Sequence, residues 1–468
     1  MKKTKIIGTI GPVSENENVL KELIKNGLNC IRINMSHAYY DECINRINIV
    51  RKLNKELNSH VGILIDTKGP EIRTGDFENG MVTLEKDKIV YVTNKEIIGN
   101  EEKFTIRYPN LLKDVKKGGT ILLNNGLVKL TVLDIVTDEI KCLVENTGNI
   151  KNKRSVNIPG VKLSIPFLSN KDKEDINFAI ENDADFIALS FVSGKEDIEE
   201  VREILEKNEN KHIQLIAKIE NQMAVDNIED ILKVSDGIMV ARGDLGVEVP
   251  MEQLPSIQKK LVKLSNKYGK ICIVATEMLA SMEFSPRPTR AEVSDVANAI
   301  LDGTDAIMLS GETASGNFPV ETVSIMSKIA CETEASFNMD NINLKNENNS
   351  ITKVIANSVV DAADKLQSKN IVAATTSGYT ARQVSKYRPN CIIIATSQNA
   401  KTVRSLVLNY GIYPVLVPNF TNTDDIVQNA IEVSKEINNL KKDDTIIITG
   451  GFPNNNVKHT NFMKIEKI

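Results

Sequence analysis

The stretch IQLIAKIE (213–220) shows the pattern that decides the fold: a short apolar run that ends in polar residues and leads into a helical segment. Seven other stretches have the same pattern. They are KIIGTI (5–10), CIRINMS (30–36), VGILIDT (61–67), FIALSFV (186–192), GIMVARGD (237–244), ICIVATE (271–277) and AIMLSGET (306–313). Alternating strands and helices predict a parallel sheet, and eight such units are the number that a (β/α)8 TIM barrel requires.

Two further domains are predicted from changes in this pattern. Residues 81–144 contain short alternating apolar runs between turn glycines, which indicates an all-β lid domain inserted after the third strand. An asparagine-rich stretch at 338–350 predicts a linker, and the strand-like runs beyond it predict a C-terminal open α/β domain. The predicted limits are 1–68 and 162–340 for the barrel, 69–161 for the lid and 350–468 for the C-terminal domain.

The charge balance and the cysteine pattern exclude several classes of protein. The chain has 58 basic and 62 acidic residues and a net charge of -4, so it lacks the positive surplus that drives nucleic-acid binding. No apolar run approaches the roughly 18 residues that a membrane-spanning helix needs. The six cysteines are scattered singly, which predicts reduced, buried thiols and a cytoplasmic location.

Polar side chains collect where the predicted barrel strands end. Because barrel enzymes build their active sites at this face, we expect these side chains to form one site. Lys218 and Glu220 are two residues apart along a strand, so they point the same way. The polar residues at the strand ends are Arg32, Asn34, Ser36, His37, Asp66, Thr67, Lys218, Glu220, Arg242, Gly243, Asp244, Thr276, Glu277, Ser310, Glu312 and Thr313.

The residue types at these ends predict a metal-assisted reaction of an anionic substrate. Glu220 and Asp244 suit Mg²⁺, which takes few protein carboxylates and completes its shell with water and phosphate oxygens. Arg32, Arg73 and Lys218 imply an anion, most simply a phosphate ester. The backbone N–H groups at 243–244 are suited to hold a carboxylate.

Six motifs along the chain resemble those of pyruvate kinase. They are NMSH (34–37), DTKGPEIRTG (66–75), AKIEN (217–221), VARGDLGVE (240–248), PRPTRAE (286–292) and MLSGETASG (308–316). The resemblance covers essentially the whole chain in order, including the insertion. It implies a phosphotransferase that moves the phosphoryl group of phosphoenolpyruvate to ADP, giving pyruvate and ATP in the last step of glycolysis, with Mg²⁺ (or Mn²⁺) and K⁺ as cofactors.

The resemblance also implies roles for individual residues. Lys218 would stabilise the phosphoryl group in flight, and Arg32 would hold the substrate phosphate. The amides of Gly243 and Asp244 would hold the substrate carboxylate, and Thr276 would lie beside the enolate carbon. The implied ligands are Glu220 and Asp244 for Mg²⁺, Asn34, Ser36, Asp66 and Thr67 for K⁺, and Asn34, Ser36, His37 and Arg73 for the nucleotide.

Single positions refine this expectation. Glu71 stands where potassium-dependent members of the family carry glutamate, so we predict K⁺-dependent activity. Glu277 replaces the glutamine that commonly follows the threonine of strand seven. In the lid, Asn124-Asn125-Gly126 stands where acidic residues are usual, which removes charge from the lid edge.

The C-terminal domain resembles the effector-binding domain of the family. Its first strand–helix turn would hold a phosphorylated effector through Thr375, Thr376, Ser377, Gly378 and Thr380. The partner loop after Gly451 is poorer in glycine than usual, so the effector and its identity stay open. The family also implies a homotetramer.

Two other classes of function are weighed against an active kinase. An aldolase or lyase of the phosphoenolpyruvate/pyruvate type would share the Lys-x-Glu strand and Mg²⁺, but it gives no reason for the inserted β-module or for DTKGPEIRTG. A binding or regulatory relative without catalysis predicts losses among the catalytic residues. None is lost, since Arg32, Lys218, Glu220, Asp244 and Thr276 are all present.

Overall fold

The computed structural model describes residues 1–36, 38–210, 212–336, 350–419, 423–451 and 459–468. The chain begins with three strands separated by two helices. In order they are β1 (Lys5–Thr9), α1 (Glu17–Lys25), β2 (Cys30–Asn34), α2 (Tyr40–Glu56) and β3 (Gly62–Asp66). Both β1 and β3 are buried along their whole length, as expected of parallel strands covered on both faces.

A lid domain built mainly from strands follows β3. Its elements are β4 (Ile72–Arg73), β5 (Met81–Leu84), β6 (Ile89–Thr93), β7 (Lys103–Thr105), α3 (Leu111–Asp114), β8 (Thr120–Leu123), β9 (Val128–Val136), β10 (Glu139–Val144), β11 (Gly148–Lys151) and β12 (Ser155–Asn157). Seven strands form one sheet in the order β4-β12-β8-β9-β10-β6-β7, and β11 pairs with β5. The predicted insertion is confirmed, although the alternating pattern did not predict the short helix α3.

The barrel then resumes and closes. Its second part comprises α4 (Asn170–Glu181), β13 (Phe186–Leu189), α5 (Lys195–Lys207), β14 (Gln214–Ile219), α6 (Gln222–Asp226), α7 (Ile228–Val234), β15 (Gly237–Ala241), α8 (Arg242–Glu248), α9 (Leu254–Tyr268), β16 (Ile271–Ala275), α10 (Arg290–Leu301), β17 (Ala306–Leu309), α11 (Gly311–Ala314) and α12 (Pro319–Ser336). The strands close in the order β1-β17-β16-β15-β14-β13-β3-β2. All eight predicted barrel strands are confirmed.

Local sequence signals explain where several barrel helices start and stop. Ser169 before α4 and Thr289 before α10 each form a capping box with an acidic residue three positions on, which satisfies backbone N–H groups that lack a helical partner. α9 ends at Gly269, whose φ of 65° lies in the left-handed region that glycine adopts without strain. These local signals mark where the helices begin and end.

The interior of the barrel is a packed core. Ile7, Leu64, Ile216 and Ile273 point inward from four different strands and are fully buried. Val407 and Leu408 of the C-terminal domain belong to the same apolar cluster. Because side chains fill the interior, a functional site must lie at an end of the barrel, and barrel enzymes place it at the carboxyl ends of the strands.

The C-terminal domain is an open sheet covered by helices. Its elements are α13 (Ile351–Lys365), β18 (Asn370–Ala374), α14 (Tyr379–Ser385), β19 (Ile392–Ser397), α15 (Ala400–Ser405), β20 (Ile412–Leu416), α16 (Thr423–Asn438), β21 (Thr445–Gly450) and β22 (Phe462–Lys467). The strand order is β20-β19-β18-β21-β22. The parallel strands β18, β19, β20 and β21 confirm the predicted open α/β domain, and the antiparallel edge strand β22 was not predicted.

A buried ion pair joins this domain to the barrel. Both terminal nitrogens of Arg388 donate to the carboxylate of Asp305, at 3.0 and 2.9 Å. Asp305 immediately precedes β17, and its Oδ1 also accepts from the backbone N–H of Tyr410 at 2.9 Å. Both side chains of the ion pair are almost fully buried.

Three remaining expectations concern the chain as a whole. No helix among the described residues is long and apolar enough to cross a membrane. All six cysteines are free thiols; four are buried, while Cys391 is half-buried and Cys331 is exposed. The predicted linker falls almost wholly on 337–349, outside the described residues, and the exact domain limits stay a prediction.

Candidate active site

Lys218 lies at the centre of a cluster of charged side chains at the carboxyl end of the barrel. Its Nζ is 2.9 Å from Oε1 of Glu220 and 3.2 Å from Oδ1 of Asp66, and it donates to Oγ of Ser190 at 2.6 Å. Nε of Arg32 donates to the other oxygen of Asp66 at 2.6 Å. Four neighbouring strands, β2, β3, β13 and β14, therefore deliver this cluster.

The Asp66 carboxylate is held between two cations. Burial acts to raise its pKa, but the nearby Arg32 and Lys218 lower the pKa below that of an ordinary aspartate. Burial likewise acts to lower the pKa of Lys218, yet Asp66 and Glu220 raise it above that of an ordinary lysine. At neutral pH, Lys218 is therefore positively charged and Asp66 negatively charged.

Glu220 and Asp244 are two carboxylates whose pKa values are both raised, although the nearby Lys218 acts to lower them. Burial raises the pKa of Glu220, and the negative charge of Asp244 raises it further. Burial and the charges of Asp66 and Glu71 raise the pKa of Asp244, although its side chain faces the open cleft. Oε2 of Glu220 accepts from the backbone N–H of Phe191 at 2.7 Å.

This donor set fits a divalent cation. Oε1 of Glu220 is buried and has no aligned hydrogen-bond partner among the described residues. A cation between Glu220 and Asp244 would offset the desolvation and the neighbouring negative charges that raise their pKa values. The described residues contain no group of three or more His, Cys, Asp or Glu side chains placed for a metal, so two carboxylates would need water and substrate oxygens to complete the shell of Mg²⁺.

A strained turn follows β16. Thr276 and Glu277 are both in the left-handed region, with φ of 69° and 54°, which costs energy for residues with a side chain. Nη2 of Arg242 donates to the carbonyl of Thr276 at 2.7 Å, and the N–H of Gly243 donates to Oγ1 of Thr276 at 2.8 Å. The start of α8 therefore fixes the threonine, whereas the side chain of Glu277 points to solvent.

The residues predicted for K⁺ lie at the ends of β2 and β3. Asn34 and Asp66 are opposite each other in the strand register, and the N–H of Ser36 donates to Oδ1 of Asn34 at 3.1 Å. The hydroxyl of Thr67 donates to the carbonyl of Ala188 at 3.3 Å. The fold thus brings the four predicted oxygen-bearing residues to one corner of the site.

Arg73 is the residue of the lid that is predicted to bind the nucleotide. It lies in β4, is partly exposed, and pairs with Glu71, with Nη2 and Oε1 2.8 Å apart. Nη1 of Arg73 donates to the carbonyl of Lys153 at 2.8 Å. His37, the fourth residue predicted for the nucleotide, lies outside the described residues.

Some residues of the site were not predicted from the sequence. Ser190 follows the fourth barrel strand, and the same rule that identified the other strand ends would have found it. Thr9, at the end of β1, accepts from Nη1 of Arg32 at 3.1 Å and was missed in the same way. Between lid and barrel is a cavity of about 220 Å³ lined by residues of both, including Asn157 and Glu248, which no local pattern indicates.

The predicted effector turn lies at the start of α14. Thr376 is exposed, and Thr380 is buried with its hydroxyl 2.8 Å from that of Thr460. Nη2 of Arg382 donates to the carbonyl of Ser377 at 2.7 Å. Nη1 of Arg382 is buried without a hydrogen-bond partner among the described residues, and the partner loop at 452–458 lies outside them.

The fold and the site together define an enzyme of the (β/α)8-barrel class, with a lid domain and a cleft suited to an anionic substrate. The family model "Pyruvate kinase, barrel domain" matches residues 1–323. The model "Pyruvate kinase, alpha/beta domain" matches residues 353–466. The chain belongs to the pyruvate kinase family, and it is a phosphotransferase.

Curated and solved relatives agree with the family models. The chain is 49% identical to a pyruvate kinase of Staphylococcus saprophyticus, over 100% of this chain and 81% of the relative. It is 47% identical to a pyruvate kinase of Staphylococcus aureus strain MRSA252, with the same coverage. The crystal structure of a pyruvate kinase from Cryptosporidium parvum superposes with a TM-score of 0.94 at 36% identity, covering 100% of this chain and 96% of that chain.

These matches decide between the classes that the sequence left open. The whole chain, including the lid insertion and the C-terminal domain, is accounted for by pyruvate kinases. They favour a kinase over an aldolase or lyase barrel, which explained neither the insertion nor the DTKGPEIRTG motif. Enzymes of this family use metal ions.

Proposed function

We propose that Lys218 is the central catalytic residue in the transfer of a phosphoryl group from phosphoenolpyruvate to ADP, giving pyruvate and ATP. The observation that supports this is the position of Nζ, a buried cation within 3.2 Å of Glu220, Asp66 and Ser190. Phosphoryl transfer asks a protein chiefly for positioning and for positive charge around the moving oxygens. A lysine with a raised pKa supplies that charge throughout the reaction.

Arg32 would orient the substrate phosphate. Its guanidinium is already held at Nε by Asp66 and at Nη1 by Thr9, so its fork is fixed before substrate arrives. A pre-oriented guanidinium binds phosphate oxygens with little loss of side-chain freedom. Arg32 and Lys218 would therefore hold the phosphoryl group from two sides.

Glu220 and Asp244 would hold Mg²⁺ or Mn²⁺. When bound, the ion would offset negative charge on the substrate phosphate and on the enolate oxygen. Glu220 is suited to this role because Phe191 and Lys218 fix its carboxylate. Asp244 is suited because it starts a short helix and faces the open cleft.

Thr276 would lie beside the enolate carbon, and the backbone N–H groups of Gly243 and Asp244 would receive the substrate carboxylate. The N–H of Gly243 donates to the hydroxyl of Thr276, so the carboxylate would compete with that hydroxyl. Thr276 Oγ1 also donates to the carbonyl of Ala275 at 2.6 Å. Substrate binding would therefore change the hydrogen bonds of the Thr276 hydroxyl.

A potassium ion would bind Asn34, Ser36, Asp66 and Thr67, an all-oxygen set suited to a hard cation. The negative charge of Glu71, whose ion pair among the described residues is with the partly exposed Arg73, would leave the site in need of a monovalent cation. We expect turnover to fall sharply when K⁺ is replaced by a large organic cation at constant ionic strength. Equal turnover in potassium-free buffer would contradict the proposed site.

The nucleotide phosphates would bind at Asn34, Ser36, His37 and Arg73. In support, Arg73 is the lid cation nearest in sequence to β3 and keeps part of its guanidinium exposed. A phosphorylated effector would bind the turn of Thr375, Thr376, Ser377, Gly378 and Thr380, where Nη1 of Arg382, which has no hydrogen-bond partner among the described residues, would meet an anion. We further propose a homotetramer in the cytoplasm, acting in the last step of glycolysis.

The experiment that tests this function measures pyruvate formation from phosphoenolpyruvate with ADP, Mg²⁺ and K⁺ each omitted in turn. We expect pyruvate only when ADP and the divalent ion are both present, with ATP formed in equal amount. An aldolase or lyase would release its product without ADP. Pyruvate formation independent of ADP, or none under any condition, would overturn the proposal.

A further inference from the structure

The lid and the barrel meet at α8, the helix that carries Asp244. α8 has only seven residues, with Asp244 in its first turn and Glu248 at its end. Nδ2 of Asn157, the last residue of the lid strand β12, donates to Oε1 of Glu248 at 2.9 Å. The lid is therefore bonded to the same helix that presents a proposed metal ligand.

Glu248 occupies an enclosed position for a carboxylate. It lines the cavity between lid and barrel together with Asp244 and Asn157. Burial and the charge of Asp244 raise its pKa, while the hydrogen bond from Asn157 acts to lower it. Because a buried charge is costly unless it is hydrogen-bonded, the amide of Asn157 fixes where this carboxylate lies.

A second contact brings the lid onto α8 beside the first. Asn124, Asn125 and Gly126 form a turn with φ of 53°, 56° and 80°, and a side-chain carbon placed on Gly126 would lie 3.3 Å from Cγ1 of Val247. Oγ of Ser155 donates to Oδ1 of Asn125 at 2.6 Å. Since Ser155 belongs to β12, the turn and Asn157 form one continuous part of the lid.

The neutral residues of this turn suit the acidic surroundings of the cavity. Asn125 lines the same cavity as Asp244 and Glu248. A carboxylate at position 125 would add a negative charge to a cavity already lined by these two acidic groups, and neighbouring like charges repel. The neutral asparagines let the lid approach α8 without that repulsion.

We propose that Glu248 is a positioning residue that links the lid to Asp244 through its hydrogen bond with Asn157. The inference rests on the proposed metal site at Glu220 and Asp244. Residues four apart on a helix share a face, so a shift of Glu248 in this two-turn helix is passed to Asp244. β12 also pairs with β4, where Ser155 lies opposite Arg73, and the same link therefore sets Arg73 relative to Asp244.

The test measures the affinity of the substrate-free protein for Mn²⁺, with the free ion followed by electron paramagnetic resonance. Asn157→Ala and Glu248→Ala each remove the link, and both should weaken the affinity by roughly tenfold, as loss of a residue behind a metal ligand typically does. Glu248→Gln keeps the acceptor for Asn157 and should stay within about threefold of wild type, since the ligand carboxylates are intact. Asn149→Ala is the matched control, because the hydrogen bond that the Asn149 side chain makes among the described residues is to Thr83, within the lid.

Small-angle scattering of the same proteins, without metal or substrate, gives an independent readout. Removal of the link should increase the radius of gyration in Asn157→Ala and Glu248→Ala, since the lid is released from α8, and leave Glu248→Gln and Asn149→Ala as wild type. If Glu248→Ala fails to fold, Asn157→Ala still tests the link, because that substitution lies in the lid and leaves the residues of the barrel unchanged.

The outcomes distinguish a failure of this inference from a failure of the proposed metal site on which it rests. If Glu220→Gln and Asp244→Asn bind Mn²⁺ like wild type, the metal site itself is wrong. If they lose Mn²⁺ while Asn157→Ala binds it normally, only the link is wrong. An equal loss in Glu248→Gln and Glu248→Ala would assign the effect to charge and overturn the positioning role, and so would a loss in Asn149→Ala.

Discussion

At the scale of single residues, two buried lysines differ in how well their surroundings stabilise the positive charge. Lys218 is surrounded by Asp66, Glu220 and Ser190, and its pKa rises. Lys5 is almost fully buried at the start of β1, where its Nζ donates to the carbonyl of Ile412 at 2.6 Å and lies 4.3 Å from the ring centre of Tyr413. Burial, with the nearby charge of Lys2, lowers the pKa of Lys5 to about 7.

This lowered pKa predicts how stability depends on pH. Between about pH 7 and the ordinary pKa of lysine, the unfolded chain holds a proton on Lys5 that the folded chain does not. The free energy of unfolding should therefore rise with pH in this window, by up to about 1.4 kcal/mol per pH unit from this group. Denaturant unfolding of wild type and Lys5→Met at pH 7 and pH 9 measures the effect.

We expect the rise in stability from pH 7 to pH 9 to be smaller in Lys5→Met than in wild type. Lys259→Met, which removes a solvent-exposed lysine paired with Asp302, serves as the control and should keep the wild-type slope. An identical slope in all three proteins would contradict a neutral Lys5 in the folded state.

At the scale of elements, the start of α8 supports the strained turn after β16. Arg242 donates to the carbonyls of Thr276 and Glu277 and to Asp295, and so it holds two left-handed residues in place. Such strain persists only where the surrounding contacts over-determine the backbone. The position of Thr276 thus depends on a residue of the preceding strand–helix unit.

Substitution of Arg242 by Met should free this turn. We predict that kcat falls by about 100-fold while the melting temperature changes little by comparison, because a displacement of about 1 Å at a reacting group can cost that much rate. Steady-state kinetics beside thermal unfolding gives both quantities. A variant with wild-type kcat would show that Thr276 keeps its position without the arginine.

The elements also show what the sequence could predict. The eight barrel strands were predicted because each follows from a run of apolar residues within one segment. β22 was missed because it is a mostly exposed edge strand with charges at Lys464, Glu466 and Lys467, a composition that protects an edge but hides the strand. The short helix α3 was missed because four residues are too few to show a period.

The site likewise contains some features that the sequence could predict and others that it could not. Lys218, Glu220 and Asp66 were predicted to share one face because strand ends of a barrel meet, and the structure brings them within hydrogen-bonding distance. The contact of Asn157 with Glu248 joins segments 91 residues apart and depends on how the lid sits on the barrel. The left-handed turn at Thr276 likewise has no signal in its own residue types.

At the scale of the whole molecule, the barrel and the C-terminal domain are joined by a buried pair. Arg388 and Asp305 are both nearly inaccessible, and Arg388 also lies 4.6 Å from the ring centre of Tyr410. α14, which carries the proposed effector turn at its start, ends three residues before Arg388. The pair is therefore a firm attachment between the domain that would bind an effector and the strand β17.

Breaking this pair should be costly. We predict that Arg388→Met lowers the free energy of unfolding by about 3–5 kcal/mol, because it leaves Asp305 buried without its partner. The double substitution Arg388→Met with Asp305→Leu should recover much of that loss, since no buried charge remains. Calorimetry or denaturant unfolding compares the three proteins, and a loss below about 1 kcal/mol in the single variant would contradict a buried, essential pair.

The central claim is that the barrel, the lid and the charged cluster together perform phosphoryl transfer through Lys218. The most direct measurement is the rate of pyruvate formation from phosphoenolpyruvate and ADP, with Mg²⁺ and K⁺, by wild type, Lys218→Met and the control Lys259→Met. We predict that Lys218→Met loses several orders of magnitude in kcat while remaining folded, because it removes charge needed in the transition state, and that the control keeps wild-type turnover. Turnover by Lys218→Met equal to that of wild type would contradict the claim.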